Sequence, residues 1–220
     1  MTLAGPILAP LSGDPPRHLV VLLHGYGADG EDLIGLGQHW APTFPDALFA
    51  APNAPARCAQ NPFGFEWFPI DFEQMGESVA LGVPSAAPVV VGYLEDLWSR
   101  TGLGPAETIL SGFSQGAMLA LHAGLGLPVP LGGIVSFSGA LVPPPGYGSG
   151  TLPRPPVCLV HGDLDQVVDP RLTAEAAASL EARGYDVSLH VSRGVAHGIS
   201  PDGLDFATAF IERCRAAATA

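Results

Sequence analysis

Residues 112–116, G-F-S-Q-G, have the residue types and spacing of a nucleophile elbow, G-x-S-x-G. A β-type run at residues 108–110 precedes them, and a helical run at residues 117–122 follows. In such a strand–turn–helix the glycines leave room for the neighbouring strand and helix, and strain lifts the hydroxyl of Ser114 to the edge of the sheet. The start of the helix favours developing negative charge. The motif predicts a nucleophilic serine, although a glycine-rich turn that happens to contain serine has the same pattern.

Three other loops bring polar groups to the same side of a predicted sheet. They are H-G-Y-G-A-D at residues 24–29, H-G-D-L-D at residues 161–165 and G-V-A-H-G at residues 194–198. Each follows a predicted strand, and ligands of open α/β sheets bind outside the carboxyl ends of the strands. Along the chain, the order Ser114, Asp165, His197 is that of the catalytic triad in α/β-hydrolases. The four loops together predict a serine hydrolase.

The side chains of Ser114, His197 and Asp165 complement one another chemically. A serine hydroxyl is a weak nucleophile at neutral pH and needs a base to take its proton. Imidazole titrates near neutral pH and can return that proton to the leaving group. A carboxylate fixes the imidazole tautomer and stabilises the imidazolium. Backbone N–H groups then stabilise the oxyanion of the tetrahedral intermediate, each by roughly 3 kcal/mol.

Apolar, β-branched runs alternate with helical stretches along the chain. Strands are predicted at residues 18–23, 47–50, 108–113, 133–137, 157–160 and 187–191. Helices are predicted at residues 31–39, 85–101, 115–125, 171–183 and 204–218. Several strands are apolar almost throughout, as parallel strands buried on both faces are. The alternation predicts an α/β fold with a mostly parallel sheet. Together with the four loops, it predicts a single α/β-hydrolase domain over residues 1–220, with helices on both faces and no large cap domain.

The composition excludes several classes of protein. Of the 220 residues, 47% are hydrophobic and 14% are charged, as in a globular chain with a sizeable core. The net charge is −12, with nine arginines and no lysine, so the surface repels phosphate backbones and nucleic-acid binding is not expected. Without lysine, the chain can supply neither a Schiff base nor a lysine general base.

The cysteines and the N-terminal residues indicate a reducing compartment. Cys58, Cys158 and Cys214 are odd in number and lack metal-ligand spacing, so each is interpreted as a small hydrophobe. The N-terminal residues have no basic region, and prolines interrupt their apolar stretch, so no signal peptide is expected. No run of about 18 apolar residues occurs. We expect a cytoplasmic protein without stable membrane insertion.

Other polar residues leave alternatives open. Asp163 lies two residues before Asp165 and could be the acid; otherwise it hydrogen-bonds its own loop. His190 also follows Asp165, but an alternating strand pattern surrounds it, and a structural role is expected. Asp169 precedes a proline, which is typical of a helix cap. His24 is expected to brace the oxyanion loop by hydrogen bonds rather than to titrate in catalysis.

The remaining histidines show no metal-ligand spacing. His18, His39 and His161 are spread along the chain. His122 lies two turns into the helix that follows Ser114, too far down to reach its hydroxyl. No metal site is therefore predicted, and a triad of this kind needs no cofactor.

The four loop sequences resemble those of the bacterial carboxylesterase/phospholipase family, which also contains the acyl-protein thioesterases. The resemblance covers nearly the whole chain and rests on H-G-Y-G-A-D, G-F-S-Q-G, H-G-D-L-D-Q-V-V and A-H-G. It implies that Ser114 is the nucleophile, Asp165 the acid and His197 the base. It also implies an oxyanion hole made by the backbone N–H groups of Tyr26 and Gln115.

The chain departs from that family in the loop after the second strand. Many acyl-protein thioesterases carry W-F-D or W-Y-D there, whereas here W-F at residues 67–68 is followed by P-I, and an aspartate comes only at Asp71. A second departure places Ala117 where the family has the last glycine of G-F-S-Q-G-G. The first departure concerns the lining of the acyl site and activity on palmitoylated proteins; neither concerns the triad.

Four aromatic residues fall within residues 62–68, beside a strand end that should face the cleft. Because aromatic side chains are rigid and bury a large area, Phe65, Trp67 and Phe68 are predicted to form a wall of the acyl site. The alternative is a satellite hydrophobic cluster that pins a long loop. A wall predicts that kcat/KM peaks at acyl chains of around four to eight carbons and falls for palmitate.

The sequence as a whole predicts a cofactor-free serine carboxylesterase that hydrolyses short- to medium-chain carboxylic esters through an acyl-enzyme intermediate. A thioesterase or a lysophospholipase is the alternative within the same enzyme class. From another class, a catalytically silent receptor for small ligands would keep the fold but has no need of all three triad groups. The expected partner is a small ester, and a homodimer stays open because the sequence does not set the oligomeric state.

Overall fold

The computed structural model of the chain describes the backbone of residues 3–218 and the side chains of residues 3–216, and this part contains nine strands and five α-helices. The strands are β1 (Ile7–Leu8), β2 (His18–Leu23), β3 (Ala47–Ala50), β4 (Ala56–Arg57), β5 (Phe65–Glu66), β6 (Thr108–Phe113), β7 (Gly133–Phe137), β8 (Val157–Gly162) and β9 (Val187–Ser192). The helices are α1 (Gly30–Trp40), α2 (Met75–Thr101), α3 (Gln115–Gly126), α4 (Pro170–Glu181) and α5 (Pro201–Ala218). A 3₁₀ turn, Pro105–Glu107, precedes β6.

Seven of the described strands form one sheet in the order β1-β3-β2-β6-β7-β8-β9. β1 runs antiparallel to β3, and all the other neighbours in this sheet are parallel. β4 and β5 form a separate antiparallel hairpin. The prediction of a mostly parallel α/β sheet is confirmed, and no separate cap domain is inserted among the described elements.

The two faces of the sheet bury separate apolar clusters. Successive side chains of β2 alternate between them, with Leu19 and Val21 in one cluster and Val20 in the other. Residues of α2, α3 and α4 belong to the first cluster, and residues of α1 and α5 to the second. α3 is buried almost all round because it contacts the sheet on one side and α2 on the other. Helices therefore cover both faces, as predicted.

Most predicted strand bounds agree with the structure. β2, β3, β6 and β7 begin and end where the sequence predicts, whereas β8 continues to Gly162 and β9 to Ser192. The prediction missed β1, β4 and β5, because strands of two residues are too short to show a period-two pattern.

The largest error concerns α2, which was predicted to begin at residue 85 but begins at Met75. The helix runs through Pro84 and Pro88. Each proline lacks an N–H group and leaves the carbonyl four residues earlier without its helical partner. Those carbonyls belong to Ala80 and Pro84, which are exposed, so water can satisfy them. Proline on the solvent side of this helix is therefore tolerated.

Mean hydropathy singles out α2 as a helix long and apolar enough to cross a membrane, with a value of 1.3 over an 18-residue window. The sequence analysis looked for an unbroken run of about 18 apolar residues, and α2 does not meet that criterion because polar residues interrupt it. In the structure, α2 packs on α3 and on the core through Val83, Val90 and Leu94. This core contact accounts for the apolar composition of its buried face.

Candidate active site

Ser114 lies at a strained turn between β6 and α3. Its backbone has φ 54° and ψ −115°, a positive φ that non-glycine residues rarely adopt. A Cβ on Gly112 would lie 2.4 Å from the backbone of Gly116, and a Cβ on Gly116 would lie 2.1 Å from the carbonyl oxygen of Leu23. Both positions therefore require glycine, and the segment has the geometry of a nucleophile elbow.

The loops at the carboxyl ends of β6, β8 and β9 bring Ser114, Asp165 and His197 into one hydrogen-bonded row. His197 Nε2 lies 3.0 Å from Ser114 Oγ, and His197 Nδ1 lies 2.7 Å from Asp165 Oδ2. Because the carboxylate accepts only, it fixes the proton of the neutral imidazole on Nδ1 and leaves Nε2 free to accept from the hydroxyl. The structure thus brings together the three residues that the sequence proposed as a triad.

Four donors surround the buried carboxylate of Asp165. The backbone N–H groups of Val167 and Val168 donate to Oδ1 at 2.8 and 3.0 Å. His197 Nδ1 and His161 Nε2 lie 2.7 and 3.0 Å from Oδ2. Burial works to raise the pKa of this carboxyl, but the hydrogen bonds from His197 and the two backbone groups outweigh it, so the pKa lies below its ordinary value. Asp165 is therefore held as a carboxylate at neutral pH.

The sequence reasoning gave no role to His161, which is 1% exposed at the end of β8. Its Nδ1 lies 2.5 Å from Thr173 Oγ1 on α4, and its Nε2 lies 3.0 Å from the carbonyl oxygen of Val168 as well as from Asp165 Oδ2. A search for metal-ligand spacing could not find this histidine. The signal that was present is its position four residues before Asp165, on the same strand-end turn.

Asp163, the alternative acid, bonds to the base loop and not to the imidazole of His197. Its Oδ1 accepts the N–H of Gly194 at 2.6 Å, and its own N–H donates to the carbonyl oxygen of Ser192 at 3.0 Å. Asp163 therefore ties the loop that carries Asp165 to the loop that carries His197.

Two further alternatives have structural partners. His190, the alternative base, lies in β9, and its Nε2 is 2.8 Å from Asp202 Oδ2 at the start of α5. Its ring stacks on Phe206 with 5.0 Å between centroids. Asp169 caps α4 by accepting the N–H of Arg171 at 2.9 Å, as the sequence predicts. Neither His190 nor Asp169 is hydrogen-bonded to the elbow serine.

The backbone N–H groups of Tyr26 and Gln115 donate to no acceptor in the described part of the chain. Gln115 is the first residue of α3, where N–H groups have no partner within the helix. Both residues line the cavity that also contains Ser114 and His197. The two N–H groups that the sequence assigned to an oxyanion hole are thus available at the site.

His24 braces the loop that carries Tyr26. His24 Nε2 accepts the N–H of Ala54 at 3.0 Å, so Nδ1 carries the proton and donates to the carbonyl oxygen of Gly25 at 2.7 Å. Burial lowers the pKa of His24, and the hydrogen bond to Gly25 opposes that shift without cancelling it. The neutral ring has both nitrogens engaged, which agrees with the predicted bracing role.

The side chain of Gln115 joins the elbow to the aromatic segment, residues 62–68. Its Oε1 accepts the N–H of Trp67 at 2.9 Å, and its Nε2 donates to the carbonyl oxygen of Phe68 at 2.8 Å. The indole N–H of Trp67 donates in turn to the carbonyl oxygen of His24 at 2.9 Å. Residues 67–68 are therefore fixed to both loops that offer a free N–H group.

A cavity of about 290 Å³ opens over Ser114 and His197. No charged residue of the described chain lines it. The other lining residues are Gly25, Tyr26, Ala28, Ile70, Phe72, Met75, Val79, Phe113, Gln115, Met118, Val167 and Val168. Ligand pockets span about 300–1,000 Å³, so this cavity suits a small organic group.

The structure does not place Phe65, Trp67 and Phe68 in the wall of this cavity, contrary to the sequence prediction. Trp67 and Phe68 are 4% and 3% exposed and belong to the core cluster, where Phe68 packs against Gly82 of α2. Phe65 lies 6.4 Å from the ring of His24, between centroids, and also contacts the core. The aromatic segment supports the loops, as the alternative interpretation proposed.

The wall comes instead from residues 70–79, which follow shortly after the aromatic segment. Ile70, Phe72, Met75 and Val79 line one side of the cavity, and Phe72 packs edge-on against Tyr26 with 5.7 Å between ring centroids. Met75 and Val79 lie in the first turns of α2, which precede the helix predicted to begin at residue 85. Because the sequence prediction began α2 at residue 85, it did not identify these residues as the wall of the cavity.

The parallel sheet, the elbow between β6 and α3 and the Ser–His–Asp row at the carboxyl edge define an α/β-hydrolase. The sequence profile of the phospholipase/carboxylesterase family matches residues 10–215. The chain belongs to this family of esterases and acyl-protein thioesterases, which confirms the resemblance seen in the sequence.

Similar proteins align with nearly the whole length of the chain. The esterase YpfH of Escherichia coli is 28% identical over 88% of this chain and 81% of its own length. Acyl-protein thioesterase 1 of Eremothecium gossypii is 32% identical over 96% of this chain and 94% of its own length. Among solved structures, esterase PE8 has a TM-score of 0.93 and 52% identity, over 97% of this chain and 100% of that one.

Proposed function

We propose that the protein is a serine carboxylesterase that hydrolyses short- to medium-chain carboxylic esters through an acyl-enzyme intermediate. The observation that carries this proposal is the row Asp165–His197–Ser114, which ends in an apolar cavity of about 290 Å³. A hydroxyl activated by a base at the wall of such a cavity is suited to attack an uncharged acyl group. The likeness to esterase PE8 and to esterase YpfH supports the same activity.

In the acylation step, Ser114 Oγ attacks the carbonyl carbon of the ester while His197 Nε2 takes the hydroxyl proton. Asp165 stabilises the imidazolium that forms, because its carboxylate stays ionised. The tetrahedral intermediate then collapses, the bond from carbon to the alcohol oxygen breaks, and His197 returns the proton to that oxygen. The alcohol leaves, and the acyl group stays on Ser114.

The negative charge of the tetrahedral intermediate falls on the former carbonyl oxygen. The N–H groups of Tyr26 and Gln115 would donate to this oxygen, and each such donor is worth roughly 3 kcal/mol in the transition state. The N-terminus of α3 adds a favourable dipole at the same point. In the deacylation step, water attacks the acyl carbon, His197 Nε2 takes its proton, and the carboxylic acid is released as Ser114 regains its hydrogen.

The cavity sets the proposed range of substrates. Its lining is uncharged, so a charged acyl group would lose its hydration without gaining a partner. Its volume lies at the small end of ligand pockets, and Phe72 and Val79 close one side. A short or medium acyl chain gains apolar contact there, whereas a palmitoyl chain must extend into solvent or displace the wall.

Thioester hydrolysis is the second candidate, because relatives named acyl-protein thioesterase 1 match most of the chain. The same row of side chains can attack either ester type. We rank it second because the residues after Trp67 and Phe68 depart from the W-F-D and W-Y-D pattern of many acyl-protein thioesterases.

The deciding experiment measures kcat/KM for p-nitrophenyl esters from acetate to palmitate, beside a thioester of matched acyl length. We expect a maximum at around four to eight carbons and a lower value for the thioester. A value that keeps rising to palmitate would reject the size limit, and a faster thioester would favour the second candidate. Stoichiometric labelling of Ser114 by an organophosphonate is also expected; a protein that cannot be labelled would be a receptor instead.

A further inference from the structure

We propose that His161 is a positioning residue for the triad, because its Nε2–H holds Asp165 Oδ2 in place independently of His197. This inference rests on the proposed function of Ser114, Asp165 and His197. It starts from a direct contact between two buried side chains, with 3.0 Å between His161 Nε2 and Asp165 Oδ2 and no solvent exposure of either side chain.

The surroundings of His161 fix which ring nitrogen is the donor. Nε2 lies 3.0 Å from the carbonyl oxygen of Val168 and 3.0 Å from Asp165 Oδ2, and both atoms only accept, so Nε2 carries a hydrogen. Thr173 Oγ1 lies 2.5 Å from Nδ1 and 3.1 Å from the carbonyl oxygen of Gly139. The hydroxyl can donate to a bare Nδ1, or accept from a protonated Nδ1 and donate to Gly139. Nε2 is the donor toward Asp165 in both arrangements.

His161 completes a frame that does not depend on the catalytic base. The backbone N–H groups of Val167 and Val168 hold Oδ1, and His161 holds Oδ2, so both carboxylate oxygens keep a fixed donor. Without His161, Oδ2 would be held only by His197, the residue that gains and loses a proton in every half-reaction. A carboxylate anchored through Oδ1 alone can tilt about that oxygen and would then align the imidazole less often.

The same hydrogen bond also moderates the base. A carboxylate that already accepts a second N–H attracts an imidazolium less strongly, so the His161 donor weakens the pull of Asp165 on the charged ring that forms in catalysis. The charged and titratable groups near His161 are Asp165 on its own loop, His197 on the base loop and, at the start of α4, Asp169 paired with Arg171. Asp169 and Arg171 stay in place in every variant proposed below, so their influence cancels in the comparison.

Two amide variants of His161 distinguish the loss of its Nε2–H donor from the loss of its ring packing. In His161→Gln the amide nitrogen can reach the position of Nε2, whereas in His161→Asn it reaches only the position of Nδ1, toward Thr173. Active sites are counted by organophosphonate labelling, and kcat and KM are measured per labelled site. We expect His161→Asn to lower kcat about 10- to 100-fold, as loss of one hydrogen bond to a charged group does, with KM within about twofold. His161→Gln should recover most of kcat, because its amide restores the donor to Asp165 Oδ2.

A matched control is His122→Asn, which alters another buried histidine, whose Nδ1–H donates to the carbonyl oxygen of Val142 at 2.8 Å. The variant should be less stable than the wild type but should keep the wild-type kcat and KM. Equal kcat values for His161→Asn and His161→Gln, or a loss matched by the control, would overturn the positioning role. If Ser114 cannot be labelled in the wild-type protein, the proposed function itself fails, which is a different result from a labelled enzyme that ignores His161.

Discussion

The catalytic row and the cavity wall lie side by side, yet different parts of the fold position them. Ser114 and Asp165 stand at the ends of β6 and β8, and the register of the parallel strands sets their spacing. The residues of the wall, by contrast, lie in a loop and in the first turns of α2. The buried side chains of Trp67 and Phe68 hold this part of the chain in place. The row depends on the sheet, whereas the wall depends on contacts between distant segments.

This difference separates the chemistry from the choice of substrate. Because no residue of the row supports the wall, a change at Phe72 should alter the preferred acyl chain and leave the rate of the chemical step on small esters nearly intact. A change in the row should lower the rate for every substrate alike. Variants in the two regions therefore test the separation directly.

The largest effect is expected for Ser114→Ala. Removing the nucleophile should lower kcat by roughly 10⁴-fold or more for every ester in the series, because triad members act as a unit. Circular dichroism and thermal unfolding would verify that the variant is folded. A variant with a tenth of the wild-type rate would exclude Ser114 as the nucleophile.

The next effect concerns the two neighbouring aspartates. Asp165→Asn should lower kcat by roughly 10³- to 10⁴-fold, because the amide cannot stabilise the imidazolium or hold the right tautomer. Asp163→Asn should change kcat by less than about threefold, since an amide oxygen can still accept the N–H of Gly194. The two variants are measured side by side on p-nitrophenyl butyrate. Reversed losses would assign the acid to Asp163.

The wall predicts a change in preference rather than in rate. Phe72→Ala enlarges the cavity at its rim and should move the maximum of kcat/KM to longer acyl chains. Its counterpart is Trp67→Ala, which should cost about 3–5 kcal/mol in the free energy of unfolding and keep the chain-length profile of the wild type. Chain-length series and urea unfolding of both variants check this pair. A shifted profile in Trp67→Ala alone would restore the aromatic segment as the wall.

The smallest effect is a pH dependence of stability at His24. Its pKa is lowered by burial, so below about 6.5 the unfolded chain binds a proton that the folded chain does not. Stability should therefore decrease as the pH falls through this window toward the lower folded-state value. His24→Gln should be less stable at neutral pH but should lose stability less steeply on acidification. Urea unfolding from pH 7.5 to 5.5 measures both slopes, and equal slopes would show that His24 titrates normally in the folded state.

The triad was predictable because each of its segments contains both the reacting group and its local support. Residues 112–116 and residues 161–165 combine a strand end, a turn and the functional side chain within five positions. The choice between Asp163 and Asp165 was not predictable to the same degree, because both stand on one loop. It depends on which of them meets the N–H of Gly194, and that residue lies in another loop.

The wall could not be predicted because it depends on contacts between distant segments. Trp67 lies in the core, where its indole N–H donates to the carbonyl oxygen of His24, 43 residues away. The predicted helix begins at residue 85, directly after Pro84, whereas α2 begins at Met75 and continues through Pro84, which lies on the solvent side, where a helix tolerates it. His161 was overlooked because its partner Thr173 becomes a neighbour only when α4 packs on the sheet, and the spacing of four residues to Asp165 does not by itself reveal a contact.

The positive φ of Ser114 has a consequence for how this chain can evolve. A non-glycine residue held at φ 54° costs roughly 1–3 kcal/mol, and glycine adopts such a conformation without strain. A Ser114→Gly variant should accordingly unfold at a higher temperature than Ser114→Ala, because alanine keeps the Cβ atom that makes this backbone conformation strained. A lineage released from selection for hydrolysis would drift toward glycine at this position and gain stability. Serine at this position therefore lowers the stability of the fold, and selection for stability alone would not retain it.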